Sequence, residues 1–127
     1  MRKNLVCMAL LFLAGCAFDI IHVRQVPAHF ESVPVSAQGW TLAEDVKVDL
    51  AEGFAAKLKK GTTWYRVGRV EQGDVFRTKD QLVTVEASNV YEAEPVISGD
   101  RIVGFYLVVE HTFTAAAPPR EFQRTPD

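Results

Sequence analysis

From Thr62 onward the chain keeps a two-residue rhythm of apolar and polar positions, broken at short intervals by turn-forming residues. Trp64 to Val70, Val75 to Thr78, Leu82 to Ala87, Val90 to Ile97 and Arg101 to Val109 read as strands, separated by EQGD, KDQ, SN and SGD. Val46 to Asp49 alternates in the same way and adds a short sixth. Turn signals at this spacing predict a mainly β domain: a small antiparallel barrel or sandwich of five to six strands. One interval has a different period. In DLAEGFAAKLKKG, Leu50, Phe54 and Leu58 recur every four residues, which aligns them on one helical face. Asp49 and Glu52 resemble a capping box, Lys57, Lys59 and Lys60 suit the end of a helix dipole, and Gly61 suits a stop. The spacing predicts one helix over about 50–60, although Gly53 inside it costs about 1 kcal/mol. An α+β arrangement is the alternative.

The SGD turn allows a finer reading. Gly99-Asp100 suits a two-residue hairpin turn with positive φ at the glycine. Simple pairing then sets Ile97 opposite Ile102, Pro95 opposite Gly104, Ala93 opposite Tyr106 and Tyr91 opposite Val108, all apolar or small, as one core face. The other face carries Val103, Phe105, Leu107 and Val109 on one strand, and Glu92 and Glu94 on its neighbour. Each large apolar side chain left wet forgoes about 1.5–3 kcal/mol. Either the helix or a curling sheet covers that face, or it is a groove rimmed by Glu92 and Glu94 that receives another molecule. Pro95 has no N–H, which predicts an edge or a bulge for its strand.

The ends of the chain break the pattern. Residues 16–39 carry Pro27 and Pro34 but also Ile20, Ile21, Val23 and Val26, and read as a partly ordered tether that can dock as an edge strand. The globular domain is expected over 40–114. Residues 115–127 contain three prolines and read as a flexible, extended tail.

The first residues form a targeting signal. Arg2 and Lys3 are followed by an unbroken apolar stretch from Leu5 to Leu13 and by the small residues Ala14 and Gly15. The apolar run from Leu5 to Phe18 has 14 residues, short of the roughly 20 that span a bilayer, and Asp19 follows it. Leu13-Ala14-Gly15-Cys16 resembles the lipobox of bacterial lipoproteins, and the resemblance is confined to about the first 16 residues. It implies a signal peptide over 1–15, a diacylglycerol (palmitate-bearing) thioether on Cys16, cleavage before it and acylation of the new amino group. A single acyl chain holds a protein only marginally, at about 0.8 kcal/mol per methylene, whereas two or three anchor it stably. Ala17, rather than Asp, follows the cysteine, and by the same resemblance this implies the inner leaflet of an outer membrane. The residues alone also permit an ordinary secretory signal cut after Ala17, or an uncleaved anchor.

Composition then narrows the function. Hydrophobic residues are 48% and charged residues 24%, as in globular domains generally. Cys7 falls in the leader and Cys16 carries lipid, so the mature domain has neither disulfide nor thiol. From Cys16 onward there are 12 basic and 16 acidic side chains, a net charge of −4 that argues against nucleic acid and against polybasic membrane binding. His22 and His29 lie seven apart with no further ligand, a poor metal pattern. Glu110-His111 closes the last strand, where acid–base work competes with plain solvation. Glu92 and Glu94 share a strand face, as paired catalytic carboxylates would, but also as a solubilised strand would. The interleaved Lys57, Lys59, Lys60, Arg66, Arg69, Arg77 and acids Glu71, Asp74, Asp80 read as a mixed solvated surface. Trp40, Trp64, Tyr65 and Tyr106 read as core. No nucleophile elbow or phosphate loop is present in the sequence. The expectation is a non-enzymatic, metal- and cofactor-free envelope module. It resembles small uncharacterised lipoproteins that bind or scaffold a periplasmic or outer-membrane protein. The candidate partner-binding residues are Glu92, Glu94, Val103, Phe105, Leu107 and Val109. The alternatives are an inhibitor of a cell-wall hydrolase such as lysozyme, and a small-ligand carrier.

Overall fold

The structure, a computed structural model, describes residues 23–36 and 38–126. The leader, the LAGC sequence and His22 therefore lie outside the described residues. The described chain is mainly β and antiparallel, with twelve strands rather than five or six. They are β1 (Val26–Pro27), β2 (Glu31–Ser32), β3 (Trp40–Leu42), β4 (Val46–Asp49), β5 (Ala55–Leu58), β6 (Thr63–Val70), β7 (Gly73–Arg77), β8 (Thr84–Glu86), β9 (Val90–Ser98), β10 (Arg101–Leu107), β11 (Thr112–Glu121) and β12 (Arg124–Pro126). Ten of them form one sheet in the order β1-β11-β10-β9-β7-β6-β3-β12, with β2 added to β6 and β8 added to β9. The hairpin β4–β5 stands apart as a second layer, joined to β11 by the Leu50–Ala116 bridge.

The helix expected over 50–60 is instead this hairpin. Only Ala51–Gly53 turn helically, in a 3₁₀ step where Glu52 (φ 64°) and Gly53 (φ 82°) both enter the left-handed region and reverse the chain. Asp49 then pairs with Ala55, and Val46 with Leu58. The physical reason is one of period. A four-residue spacing is also a multiple of two, so Leu50 and Leu58 sit equally well on one strand face with Val46, Val48 and Ala56. All five are buried. Lys47 and Lys57 point outward.

The β9–β10 turn forms at Gly99 (φ 64°), with Ile97 opposite Ile102. Beyond it the expected register fails. Val103 is an inserted residue, so Gly104 pairs with Val96, Phe105 with Pro95, Tyr106 with Glu94 and Leu107 with Ala93. A bulge of one residue exchanges the faces. Phe105 and Leu107, each fully buried, therefore join Ile97, Ile102, Ala93 and Tyr91 in the main core, while Tyr106 turns to the reverse face.

The sheet thus carries cores on both sides. The larger core lies between the sheet and the β4–β5 layer and includes Trp40 and Trp64, whose rings stack 6.1 Å apart. The smaller one gathers Val67, Val70, Val75, Val96, Tyr106 and Phe113. It is covered by Ala28 and Phe30, the Phe30 ring lying 5.0 Å from that of Tyr106. Residues 23–36 therefore dock rather than hang free: Val23 is buried and β1 pairs with β11. Residues 115–126 are likewise paired, contrary to the expectation of a free tail. β11 continues to Glu121, Ala116 and Phe122 are buried, and β12 pairs with β3. Prolines 27 and 126 stand in the two edge strands, where a missing donor blunts further pairing.

The wrap around the main core is not a closed barrel. Between β5 and the segment leading into β8 the Gln81 side chain makes a bridge: it donates to the Lys57 carbonyl at 2.7 Å and accepts from the Lys59 N–H at 3.0 Å. Its amide thereby imitates the peptide of a neighbouring strand.

Candidate functional site

The six residues expected to form one partner-binding face are divided by the Val103 bulge. Phe105 and Leu107 are interior. Val103 is half-buried against the smaller core. Val109 is 72% exposed just past β10. Glu92 is exposed, and Glu94 is buried. What the structure brings together is a corner at the middle of β9, where that strand exchanges β7 for β8 as its neighbour. Asp74 and Val75 of β7 pair with Ile97 and Val96, whereas Thr84 to Glu86 of β8 pair with Glu92 to Val90. Pro95 falls between the two ladders. A missing N–H is tolerated there, so of the edge or bulge that proline predicts, the strand is central and the bulge lies next to it, at Val103 on the neighbouring strand.

At this exchange Glu94 meets Arg77, the last residue of β7. The Arg77 Nε donates to Glu94 Oε2 in a very close contact, and Nη2 to Oε1 at 3.4 Å. The Glu94 side chain is 10% exposed and that of Arg77 55%, so a guanidinium at the surface neutralises a carboxylate set below it. The hydrogen bond to Glu94 raises the guanidinium pKa above its already high value. Burial opposes this, and the charges of Glu94 and Glu92 reinforce it. A small cleft of about 120 Å3 opens beside the pair, with Thr78, Gln81, Leu82, Glu92 and Trp64 in its walls. Leu82 is 69% exposed.

Tyr106, the cross-strand partner of Glu94, lies on the same face. Burial raises the pKa of its phenol above the usual value, and the Glu94 charge adds to this. Its hydroxyl bonds His111 Nδ1 at 2.9 Å, and His111 holds a left-handed turn (φ 58°) at the start of β11. The Glu110–His111 neighbours thus end in a tight turn, with the imidazole engaged by tyrosine. His29 lines a different cleft with Glu31 and Arg69. Among the described residues no three His, Cys, Asp or Glu side chains are grouped as metal ligands. The mixed charged surface is borne out in part by Arg66–Asp74 at 3.0 Å and Arg69–Glu31 at 3.2 Å. Trp40, Trp64 and Tyr106 are core, as expected, whereas Tyr65 is only half-buried and belongs to neither core.

Arg77, Gln81 and Leu82 were not legible as site residues. Their only sequence signal is the KDQL break after β7, a stretch too short to mark a β-ladder exchange. Glu94 was legible as a residue of interest, but not as the buried member of an ion pair. The arrangement offers a fixed acid–base pair, a free carboxylate at Glu92 and apolar side chains left in water. That combination suits recognition of a polar and apolar surface. No protein-family model, curated protein or solved structure matches the chain.

Proposed function

We propose that the chain is a lipid-anchored protein of the bacterial envelope, held through Cys16, whose β domain is a non-catalytic binding or scaffolding module facing the periplasm. The inner leaflet of an outer membrane is the proposed address. The observation that carries this reading is Leu13-Ala14-Gly15-Cys16 directly after the apolar run. The burial of Val23 fits it. Val23 is buried in the domain only seven residues after Cys16. At about 3.3–3.6 Å per residue this leash reaches at most about 25 Å, enough to hold the domain beside a bilayer and no farther. The proposed partner surface is the outer end of β9–β10, where Val90 and Val109 are each more than 60% exposed and the Val108 N–H donates to the Glu92 carbonyl. Isolated exposed apolar residues are ordinary; two at the adjoining ends of neighbouring strands fit a contact patch.

The test has two arms. Cys16→Ser is expected to abolish palmitate incorporation and to release the protein from membranes; unchanged retention rejects the anchor. A photo-crosslinking residue at Val109 in cells is expected to give a discrete adduct that the same residue at Val26, on the β1 edge, does not. Equal patterns from both positions reject the patch. A second reading, inhibition of a cell-wall hydrolase, draws on the exposed β8–β9 turn with Glu86 and Ser88. Undiminished lysozyme activity with excess protein removes it for that enzyme.

A further inference from the structure

The acidic net charge of the chain is unevenly spread. Of the five lysines after Cys16, four (Lys47, Lys57, Lys59 and Lys60) belong to the β4–β5 hairpin and the two residues that follow it, and all four are exposed. Residues 46–60 carry them with Asp49 and Glu52, a net charge of +2, so the remainder of the chain from Cys16 carries −6. One face of the hairpin is sealed, with Val46, Val48, Ala56 and Leu58 in the main core. The other turns Lys47, Asp49 and Lys57 to solvent. Lys47 and Lys57 are cross-strand partners, and like charges directly opposite one another destabilise a strand pair. Asp49 relieves part of this, 3.7 Å from Lys47. Two other acids are engaged: Glu52 with Arg24 at 3.2 Å, and Asp45 with the Lys60 N–H at 2.8 Å. Exposed Glu44 precedes the hairpin, at the end away from its turn.

The Arg24–Glu52 pair also places the end of the tether. Glu52 belongs to the hairpin turn, and Arg24 follows Cys16 by eight residues. Lys47 and Lys57 each stand three residues from the Leu50–Phe54 pair that closes this turn, about 10 Å along the strands. A leash that short brings the surface holding Cys16 to the basic face and not to the acidic remainder. We infer that the outer face of β4–β5 rests on acidic phospholipid headgroups of the membrane that holds the anchor. The inference rests on the lipid anchor proposed above. A lysine held at an acidic leaflet favours contact about five-fold, so a net charge of two favours it about 25-fold. Charge of that size does not hold a free protein on a membrane. Beside a covalent lipid it has only to choose which face lies down.

Cys16 is the single thiol of the chain from residue 16 onward. Coupling it to a maleimide lipid in nanodiscs supplies the anchor whether or not cells attach one, so failure here is separate from failure of the palmitate test. The discs are made of phosphatidylcholine, alone or mixed with phosphatidylglycerol, and carry a paramagnetic headgroup that broadens nearby amide resonances. Broadening at Lys47, Lys57 and Lys59 is expected to rise at least five-fold from neutral to acidic discs, and to fall back in about 1 M salt, where the Debye length is about 3 Å. The exposed double change Lys57→Gln with Lys59→Gln is expected to remove most of the rise while the other resonances stay in place. Equal broadening on the two lipids, a rise that salt does not remove, or broadening centred on other strands overturns the inference and leaves this face to a protein or a polymer. The comparison of lipids needs no variant to fold.

Discussion

Phe105 decides whether the last hairpin presents its large side chains to a partner or to the domain itself. The ring is 0% exposed and sits in the main core with Ile97, Ile102 and Leu107. A phenylalanine side chain buries about 150–250 Å2, most of it lost on truncation to alanine, which at about 25 cal/mol per Å2 forgoes roughly 3 kcal/mol. Because β9 and β11 are hydrogen-bonded to either side of β10, the walls cannot close fully on the space left, and a cavity cost is added. Phe105→Ala is therefore expected to lose about 3–5 kcal/mol, a large share of the total stability of a small domain. Phe105→Met, nearly volume-conserving, should cost under about 1.5 kcal/mol. Val109→Ala, at a 72% exposed site, should stay within about 0.5 kcal/mol. Urea unfolding followed by tryptophan fluorescence measures all three, since Trp40 and Trp64 are both buried and report loss of the core. A Phe105→Ala loss below about 1 kcal/mol, or a Val109→Ala loss comparable to it, would refute the register set by the Val103 bulge.

Gly104→Ala would place a Cβ 2.2 Å from the Thr114 carbonyl oxygen and 2.5 Å from the Phe113 ring, so a loss of about 3 kcal/mol is expected in the same assay. A neutral result would show that β10 and β11 are farther apart than described. Arg77→Met leaves the Glu94 carboxylate without its partner, and with the guanidinium half in water the expected cost is about 1–2 kcal/mol. Adding Glu94→Gln should recover part of it, and strict additivity of the two changes would deny the pair. Tyr106 has its pKa raised on folding, so its contribution is complete below the ordinary phenol value, about 10, and is lost as pH rises through the raised value. Thermal melts between about pH 9 and 11 should fall more steeply for the natural chain than for Tyr106→Phe, and parallel curves would show that the phenol is not the cause.

What could be read from the sequence was local. The Gly99 turn, the strand runs and the tether that docks at an edge follow from residue types within a few positions of one another. The failures are those of ambiguous period and of distance. Leu50, Phe54 and Leu58 satisfy a helix and a strand alike, and Gly53 with Glu52 settled the matter by turning the chain over. Ala115 to Pro119 has the composition of a linker, yet Ala116 and Phe122 bury themselves, because a strand edge of β10 and the face of Trp40 stand ready to receive them. Arg77 and Glu94 are 17 residues apart, and nothing in either strand alone announces the partner.

The inserted Val103 has the widest consequence for function. With simple alternation, Glu92, Glu94 and four apolar side chains would share one surface, and a groove lined by all six would follow. One extra residue turns Phe105 and Leu107 inward to the main core and leaves Glu94 opposite Tyr106, where Arg77 must neutralise it. Of this hairpin's large apolar side chains, Val90 and Val109 at its open end are the ones left most exposed. A partner that bound along the face of β10 would have to unfold the core to reach it, at a cost comparable to the whole stability of the domain. One that bound at the strand ends would meet side chains already exposed. The bulge therefore separates the apolar residues that hold the domain together from the two, Val90 and Val109, that it leaves in water at the open end of the hairpin.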